Sequence, residues 1–281
     1  QRYPLNVSIR FLTALIFSFE NMSQINYMNW KKKIIFLKKF VMKKLLLSII
    51  LISNFSFSQE TDYEGFMNFS YNNDSGKIIL EINKLDSEFM YINSLSRGVG
   101  NNDLGLDRGQ LGDSRVVYFT KRGNKILLIQ PNLRYVSNSS NYLENKSVKE
   151  AFARSVLFGF DIVEKTKDSY KIDITSFLIR DAHGVSQRLR YSNSGSYTLN
   201  KSMSAIDLDR TKAFPKNIEF DVLLTFTGNP SGNLVRSVTP TASNLTVNQH
   251  HSFVELPDNN YKKRKFDPRS GSNPFIVYDY S

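Results

Sequence analysis

The sequence predicts a mainly β, β-rich α+β fold for residues 59–281, with antiparallel sheets and one main helix near residues 147–158. Short apolar runs alternate with polar residues at a period of two, which is typical of half-buried strands. Turn-forming Gly, Asn, Asp and Pro separate these runs. The chain has no cysteine, so a hydrophobic core must hold the fold together without disulfides.

The first elements are two hairpins with a strand between them. Residues 66–71 and 77–82 alternate around the turn at 73–76, whose Asp and Gly tolerate the positive φ angles of a tight reversal. Residues 89–95 form a third strand. Residues 116–120 and 126–129 form the second hairpin, because both arms are rich in β-branched residues and Gly123 lies between them.

The main helix is predicted from apolar spacing. Val148, Phe152 and Val156 recur at helical intervals, Glu150 lies in the first turn and Gly159 follows the end. We expect this apolar face to pack on a sheet.

The remaining elements are predicted to be strands, apart from one ambiguous segment. Residues 160–164 and 170–174 form a hairpin, whereas 175–190 has room for a short helix. The later strands are residues 197–199, 205–208, 218–227, 234–238 and 245–256. The tail at 257–274 is rich in Pro, Asp, Asn, Arg and Gly, which predicts irregular structure.

The first 58 residues differ in character from the rest. Residues 42–58 have the layout of a cleavable signal peptide: Lys43 and Lys44, an apolar run at 45–52, and then a small polar stretch. The apolar run is shorter than the ~20 residues that span a bilayer, so no stable membrane span is expected after cleavage. Residues 1–41 are interpreted as upstream translation or an extended leader, outside the mature fold.

The basic charge of the chain comes mostly from this leader. Residues 1–58 hold nine of the 37 Lys and Arg residues but one of the 26 acidic residues, and therefore +8 of the net charge of +11. The remaining net charge of +3 does not favour nucleic-acid binding.

Histidines are the first candidates for a functional site. Asp181 and His183 form either a carboxylate–imidazole pair or, more plainly, a polar turn that Gly184 reverses. His250 and His251 are adjacent in a predicted strand, so their rings point to opposite faces and do not converge on one metal. One of the two is expected to be exposed and the other packed inside.

Two loops supply the remaining candidate functional residues. The glycine-rich loop at 97–109 lacks the spacing of a phosphate-binding loop and is interpreted as a site of close backbone approach. In residues 267–271, Asp267 and Arg269 are expected to form a fork-like ion pair that locks the turn. Asp181, His183, His250, His251, Asp267 and Arg269 are together the candidate interface or cleft-lining residues.

Six segments in register carry a family resemblance. They are LGLDRGQ at 104–110, SVLFGF at 155–160, RDAHGV at 180–185, AFPKN at 213–217, QHHSF at 249–253 with LPD at 256–258, and FDPRSG at 266–271 ahead of DYS at 279–281. In this order they resemble the uncharacterised domain upstream of the peptidase domain in large secreted zinc-dependent metalloproteinases of Gram-negative bacteria. The resemblance covers residues 64–281.

The resemblance implies a metzincin-like zinc peptidase whose HExxH helix lies outside this sequence. Zinc is therefore expected in the parent family and no cofactor in this chain. Residues 59–281 are predicted to be a non-catalytic accessory domain that precedes the missing peptidase domain and packs against it or shapes its cleft, with peptide substrate as a second partner. The predicted location is exported: periplasmic, outer-membrane associated or extracellular. The alternative is a free-standing envelope β-sandwich that binds glycan or peptide, which 14 tyrosines would suit.

Overall fold

The computed structural model describes residues 30, 31, 33–39, 60–258, 260–262, 267–270 and 276–281. Contacts divide the chain into two units, Gln1–Phe57 and Ser58–Ser281. In the first unit, residues 30, 31 and 33–39 are helical. The predicted signal peptide at 42–58 lies outside the described residues. No helix in the described part of the chain combines the length and the apolar character needed to cross a membrane.

The second unit confirms the mainly β fold. Its strands in chain order are β1 (Glu60–Tyr63), β2 (Phe69–Asn72), β3 (Lys77–Ile82), β4 (Glu88–Arg97), β5 (Leu111–Arg122), β6 (Lys125–Gln130), β7 (Tyr135–Val136), β8 (Ser155–Lys165), β9 (Tyr170–Asp173), β10 (Gly195–Phe214), β11 (Asn217–Pro230), β12 (Asn244–Glu255) and β13 (Tyr278–Asp279). Three α-helices are described: α1 (Tyr142–Ala151), α2 (Thr175–Leu178) and α3 (Val185–Tyr191). Residues Asn102–Leu104 and Pro268–Ser270 form 3₁₀ turns.

Among the described residues, eleven strands form one antiparallel sheet. Its order is β1-β2-β3-β9-β8-β6-β5-β4-β12-β11-β10, while β7 and β13 form a separate parallel pair. The connection between β1 and β2 contacts the end of the other edge strand, β10, where the Phe66 N–H donates to the Phe214 carbonyl at 2.8 Å. Gly65 permits this approach, because a Cβ there would lie 2.6 Å from the Phe214 oxygen.

The predicted hairpins are confirmed. In the β2–β3 turn Gly76 has a φ of +66°, and the Asn72 side chain accepts a hydrogen bond from the Ser75 N–H at 2.9 Å. Gly123, with a φ of +58°, reverses the chain between β5 and β6. The β8–β9 hairpin also forms.

The predicted helix at 147–158 is displaced. Helix α1 ends at Ala151, and residues from Ser155 onward form strand β8 beside β6. Asn141 sets the true start, since its side chain accepts from the Leu143 N–H at 3.0 Å and donates to Glu144 at 3.2 Å. The helix buries no residue, so it does not pack an apolar face on the large sheet as expected.

Residues 197–199 and 205–208 are strand residues as predicted, but both belong to the single long strand β10, whose register shifts twice. The strand expected at 234–238 was wrong: these residues form turns, although Val235 is buried as a strand residue would be. The ambiguous segment at 175–190 contains α2 and α3.

An aromatic core packs against the sheet. Phe177 from α2 contacts rings from several strands, including those of Tyr91, Phe160 and Phe253 at centroid distances of 5.4 to 6.1 Å. Each fully buried ring of this kind stabilises the fold by about 1.5–3 kcal/mol. Helix α2 and the segment that follows it therefore hold fixed positions over β4 and β12.

Candidate functional site

A cleft of about 470 Å³ forms where two remote segments meet. Its lining residues are Asp103, Leu104, His183, Gly184, Gln187, Arg188, Tyr191 and Ser192. The glycine-rich loop supplies one wall, and the residues after α2 together with helix α3 supply the other. We call this the His183 cleft.

The glycine-rich loop is built by close backbone contact, as predicted. The Val99 N–H donates to the Leu106 carbonyl at 2.8 Å, and a Cβ on Gly98 would lie 2.2 Å from that oxygen. Leu104 and Leu106 are buried beneath the loop. Gly105 has a φ of +59°, and Arg188 lies against it, since a Cβ at Gly105 would be 2.6 Å from the arginine Nη1. The loop and α3 are thereby packed directly together.

The turn that carries His183 is held by Asp181. The two carboxylate oxygens of Asp181 accept hydrogen bonds from the N–H groups of Val185 and Ser186 at 2.7 and 2.9 Å. Gly184 supplies the reversal with a φ of +76°. The polar-turn interpretation is therefore confirmed, and Asp181 caps the backbone of α3 without a hydrogen bond to the imidazole.

Gln249 on β12 joins this turn to the sheet. Its side-chain oxygen accepts from the His183 N–H at 2.9 Å, and its side-chain nitrogen donates to the Arg180 carbonyl at 2.9 Å. The amide is fully buried. The same side-chain nitrogen also lies 2.8 Å from His251 Nε2. Because Gln249 bonds two backbone groups of the 180–183 segment and contacts the buried His251 ring, it fixes the position of that segment.

His183 is neutral and incompletely paired. Its Nδ1 lies 3.4 Å from the Asn93 side-chain nitrogen, which donates, so a neutral ring carries its proton on Nε2. Burial, followed by the positive charge of Arg188, lowers the pKa of His183. Among the described residues, neither His183 Nε2 nor Asn93 Oδ1 has a hydrogen-bond partner, although both are buried. Such atoms are available to a ligand that reaches them.

His251 is wholly enclosed behind the cleft. Its Nδ1 lies 2.9 Å from the Tyr91 hydroxyl, and its Nε2 lies 3.1 Å from the Leu178 carbonyl oxygen. The ring also contacts those of Tyr91 and Phe177. Burial lowers the pKa of His251 to about 3, so this ring is neutral at physiological pH.

His250 lies on the opposite face of β12, between two carboxylates. Its Nδ1 is 3.1 Å from Asp221 Oδ2 and its Nε2 is 2.7 Å from Glu219 Oε2. Burial alone would lower its pKa, but these hydrogen bonds raise the pKa of His250 to about 9. Asp221 is fully buried, and Asn248 donates to its other oxygen at 2.8 Å. The imidazolium therefore holds β11 and β12 together.

The residues described do not fit a zinc site. Zinc needs several ligands that converge on one point at about 2.0–2.2 Å. The carboxylates beside His250 are bonded to its two separate nitrogens, and His251 faces the other side of the sheet. No group of three His, Asp or Glu side chains in the described ranges could hold a metal ion.

Asp267 and Arg269 are not among the residues that line the His183 cleft. They form the predicted fork: Arg269 Nε donates to Asp267 Oδ1 at 3.0 Å, and Nη2 donates to Oδ2 at 2.7 Å. The arginine side chain is 89% exposed. The structure thus brings Asp181, His183 and His251 together, sets His250 on the far face, and leaves the 267–270 turn at the surface.

Several site residues were missed from the sequence. Glu219 and Asp221 alternate with apolar residues along β11, and this pattern could have indicated two carboxylates on one face. Asn93, Gln249 and Arg188 gave no such local signal, because their partners are remote in the chain.

Comparison with known proteins identifies a family. No curated protein and no solved structure matches the chain. Residues 109–281, more than half of the chain, match the family described as a domain of unknown function, DUF5117. The matched range includes β12 and the turn that carries His183. The chain therefore belongs to the DUF5117 family.

Proposed function

We propose that residues 59–281 are a non-catalytic accessory domain of an exported zinc-dependent metalloproteinase. The domain packs against the peptidase domain or shapes its cleft. Its location would be periplasmic, outer-membrane associated or extracellular, and zinc would belong to the peptidase domain. The six-segment resemblance supplies the parent family for this proposal.

The observation that carries the proposal is that both nitrogens of each of the two adjacent histidines have partners within the fold. Both nitrogens of His250 are hydrogen-bonded to carboxylates, and both nitrogens of His251 lie within hydrogen-bonding distance of groups in the core. To bind zinc, a ring must give up one of these partners, which would leave a buried polar group unpaired at a cost of about 1–3 kcal/mol. These side chains therefore support a structural role.

The His183 cleft is the surface that we assign to the peptidase domain. Two of the resemblance-bearing segments, at 104–110 and 180–185, contribute lining residues, and Gln249 from a third, at 249–253, accepts a hydrogen bond from the His183 N–H. The cleft lining includes one cation, Arg188, and one anion, Asp103. Polar, partly charged surfaces of this kind are typical of contacts between domains.

The first test is to read the intact gene beyond the codon for Ser281. An in-frame HExxH motif downstream supports the proposal. A stop codon directly after Ser281 contradicts it.

The second test adds the full chain to the peptidase domain which that reading frame encodes. We expect a measurable change in kcat/KM and a complex detectable by titration calorimetry. Arg188→Glu should weaken the complex about tenfold, because it reverses the charge in the cleft. Arg190→Glu, on the same helix but outside the cleft lining, is the matched control. Equal effects of the two variants, or no complex with the unaltered chain, would contradict the assignment.

A second candidate, the free-standing envelope binding module, is favoured by one observation. A cleft lined in part by aromatic side chains lies near α1, and none of its lining residues lines the His183 cleft. Binding of a ligand there does not require a peptidase domain.

A further inference from the structure

A cleft of about 530 Å³ lies beside α1 and β7. Its walls come from α1, from β7 and the residues on either side of it, from Tyr118 within β5, and from residues at or next to the starts of β4 and β8. We call it the α1 cleft. None of its lining residues lines the His183 cleft.

The floor of the α1 cleft is apolar and rigid. Tyr135 and Phe152 stack with parallel rings whose centroids are 4.0 Å apart. Tyr278 of β13 stacks on Tyr135 at 5.2 Å, which ties the floor to the second sheet. Leu133, Val136 and Val148 add aliphatic side chains to the lining. Rings held by stacking have little conformational freedom to lose when a ligand binds.

The rim of the α1 cleft carries unpaired charges of both signs. Asp86 and Glu88 supply carboxylates, and Lys149 and Arg154 supply cations. Within the described residues, none of the four forms an ion pair. Asn145 donates to the Ser139 carbonyl at 2.8 Å, while its side-chain oxygen is buried without a hydrogen-bond partner in the same part of the structure. The rim can therefore both accept and donate hydrogen bonds.

We propose that the α1 cleft binds an extended peptide segment through one large apolar side chain. A Phe or Leu side chain would contact the stacked floor, where burial of apolar surface is favourable. The main-chain N–H and C=O groups on either side would meet the carboxylates, the cations and the Asn145 oxygen at the rim. This proposal goes beyond the accessory role, because it requires only this chain.

A sugar fits the same cleft less well. Its hydroxyl groups would lie against Val136 and Val148, which cannot hydrogen-bond, and each unpaired hydroxyl has a desolvation cost. The apolar floor therefore favours a peptide, and sugar binding is an outcome that the experiment distinguishes.

The test measures fluorescence polarisation of two labelled nonapeptides with the full chain. Both peptides consist of Gly and Ser except at the centre, which is Phe in one and Ala in the other. We expect the Phe peptide to bind at least about tenfold more tightly, because only its side chain reaches the floor. Equal affinity for the two peptides overturns the proposal. Displacement of the Phe peptide by chitohexaose at equal concentration also overturns it.

Matched variants locate the site. Val148→Glu places a charge on the floor and should reduce affinity for the Phe peptide about tenfold or more. Val163→Glu makes the same change at a position that is 61% exposed on β8, outside the cleft, and should leave affinity unchanged. Similar losses in both variants contradict the site. Circular dichroism melts of each variant check that it is folded.

A second pair of variants, one in the rim and one control, tests the site even if Val148→Glu does not fold. Arg154→Gln removes an exposed rim cation and should weaken binding of the Phe peptide several-fold, with a smaller dependence on salt. Arg122→Gln, in the β5–β6 hairpin, is its control. An unchanged affinity in Arg154→Gln, or an equal loss in both, overturns the assignment.

Discussion

Two adjacent histidines of β12 occupy opposite chemical environments. His251 is enclosed by aromatic rings, and burial lowers its pKa to about 3. His250 keeps 22% of its side chain exposed and lies between Asp221 and Glu219, which raise its pKa to about 9. One residue along the strand therefore separates a neutral core ring from an imidazolium.

The alternation of side chains along β12, and not the residue type, therefore decides whether each imidazole ring is charged or neutral. It also predicts opposite dependences of stability on pH. The unfolded chain releases a His proton near pH 6.5. Stability from His250 is complete below about pH 6.5 and is lost as pH rises to about 9, whereas stability from His251 is complete above about pH 6.5 and is lost as pH falls towards 3. The free energy of unfolding should accordingly be highest near pH 6.5.

The largest expected effect is that of His251→Ala. The variant loses the contacts with Tyr91 and Phe177 and leaves a cavity between buried polar groups. We expect the free energy of unfolding to fall by about 3–5 kcal/mol. Urea denaturation at pH 7 measures it. A loss below about 1 kcal/mol would show that the ring does not belong to the core.

A smaller loss is expected for His250→Gln, and it should depend on pH. The raised pKa corresponds to roughly 3 kcal/mol below pH 6.5, falling towards zero above pH 9. The variant should therefore lose the alkaline slope of stability between pH 6.5 and 9. Urea denaturation across that range, with the unaltered chain as control, checks this; an unchanged slope contradicts the ion network.

Gln249→Leu tests the link between β12 and the turn that carries His183. The substitution leaves the His183 N–H and the Arg180 carbonyl without their side-chain partner, so we expect a loss of about 1–3 kcal/mol. It should also shift the backbone amide signal of His183 in NMR spectra. A loss of stability without a change at His183 would mean that Gln249 does not position the cleft.

The smallest effect is expected for Arg269→Ala. Its ion pair with Asp267 is at the surface, where solvent screens the interaction. The melting temperature should stay the same within experimental error. A clear decrease would indicate that the turn is buried against another part of the chain.

Turn residues and alternation in the sequence predicted the hairpins, in which the paired strands are neighbours along the chain. The turns at Gly76 and Gly123 sit between strands that are adjacent in sequence, so composition alone indicated both hairpins. The helix was misplaced because Val156 lies at helical spacing from Phe152, although it belongs to β8. That strand is stabilised by β6, which the local pattern does not reveal.

The candidate site was predictable only in fragments. Alternation placed the rings of His250 and His251 on opposite faces, and the sequence indicated the Asp181–Gly184 turn. Their surroundings depend on pairing between β12 and β4, which are more than 140 residues apart in the chain. Contacts at that separation carry no signal within a sequence window, so the partners Asn93 and Tyr91 were not predicted.

Zinc titration followed by ¹⁵N NMR of the imidazole rings is the decisive test of whether the histidines serve the fold. At pH 7 we expect a cationic His250, neutral His183 and His251, and no shift of any of the three when one equivalent of zinc is added. Zinc-dependent shifts of His250 or His251 at that ratio would contradict the claim that these side chains are committed to the fold.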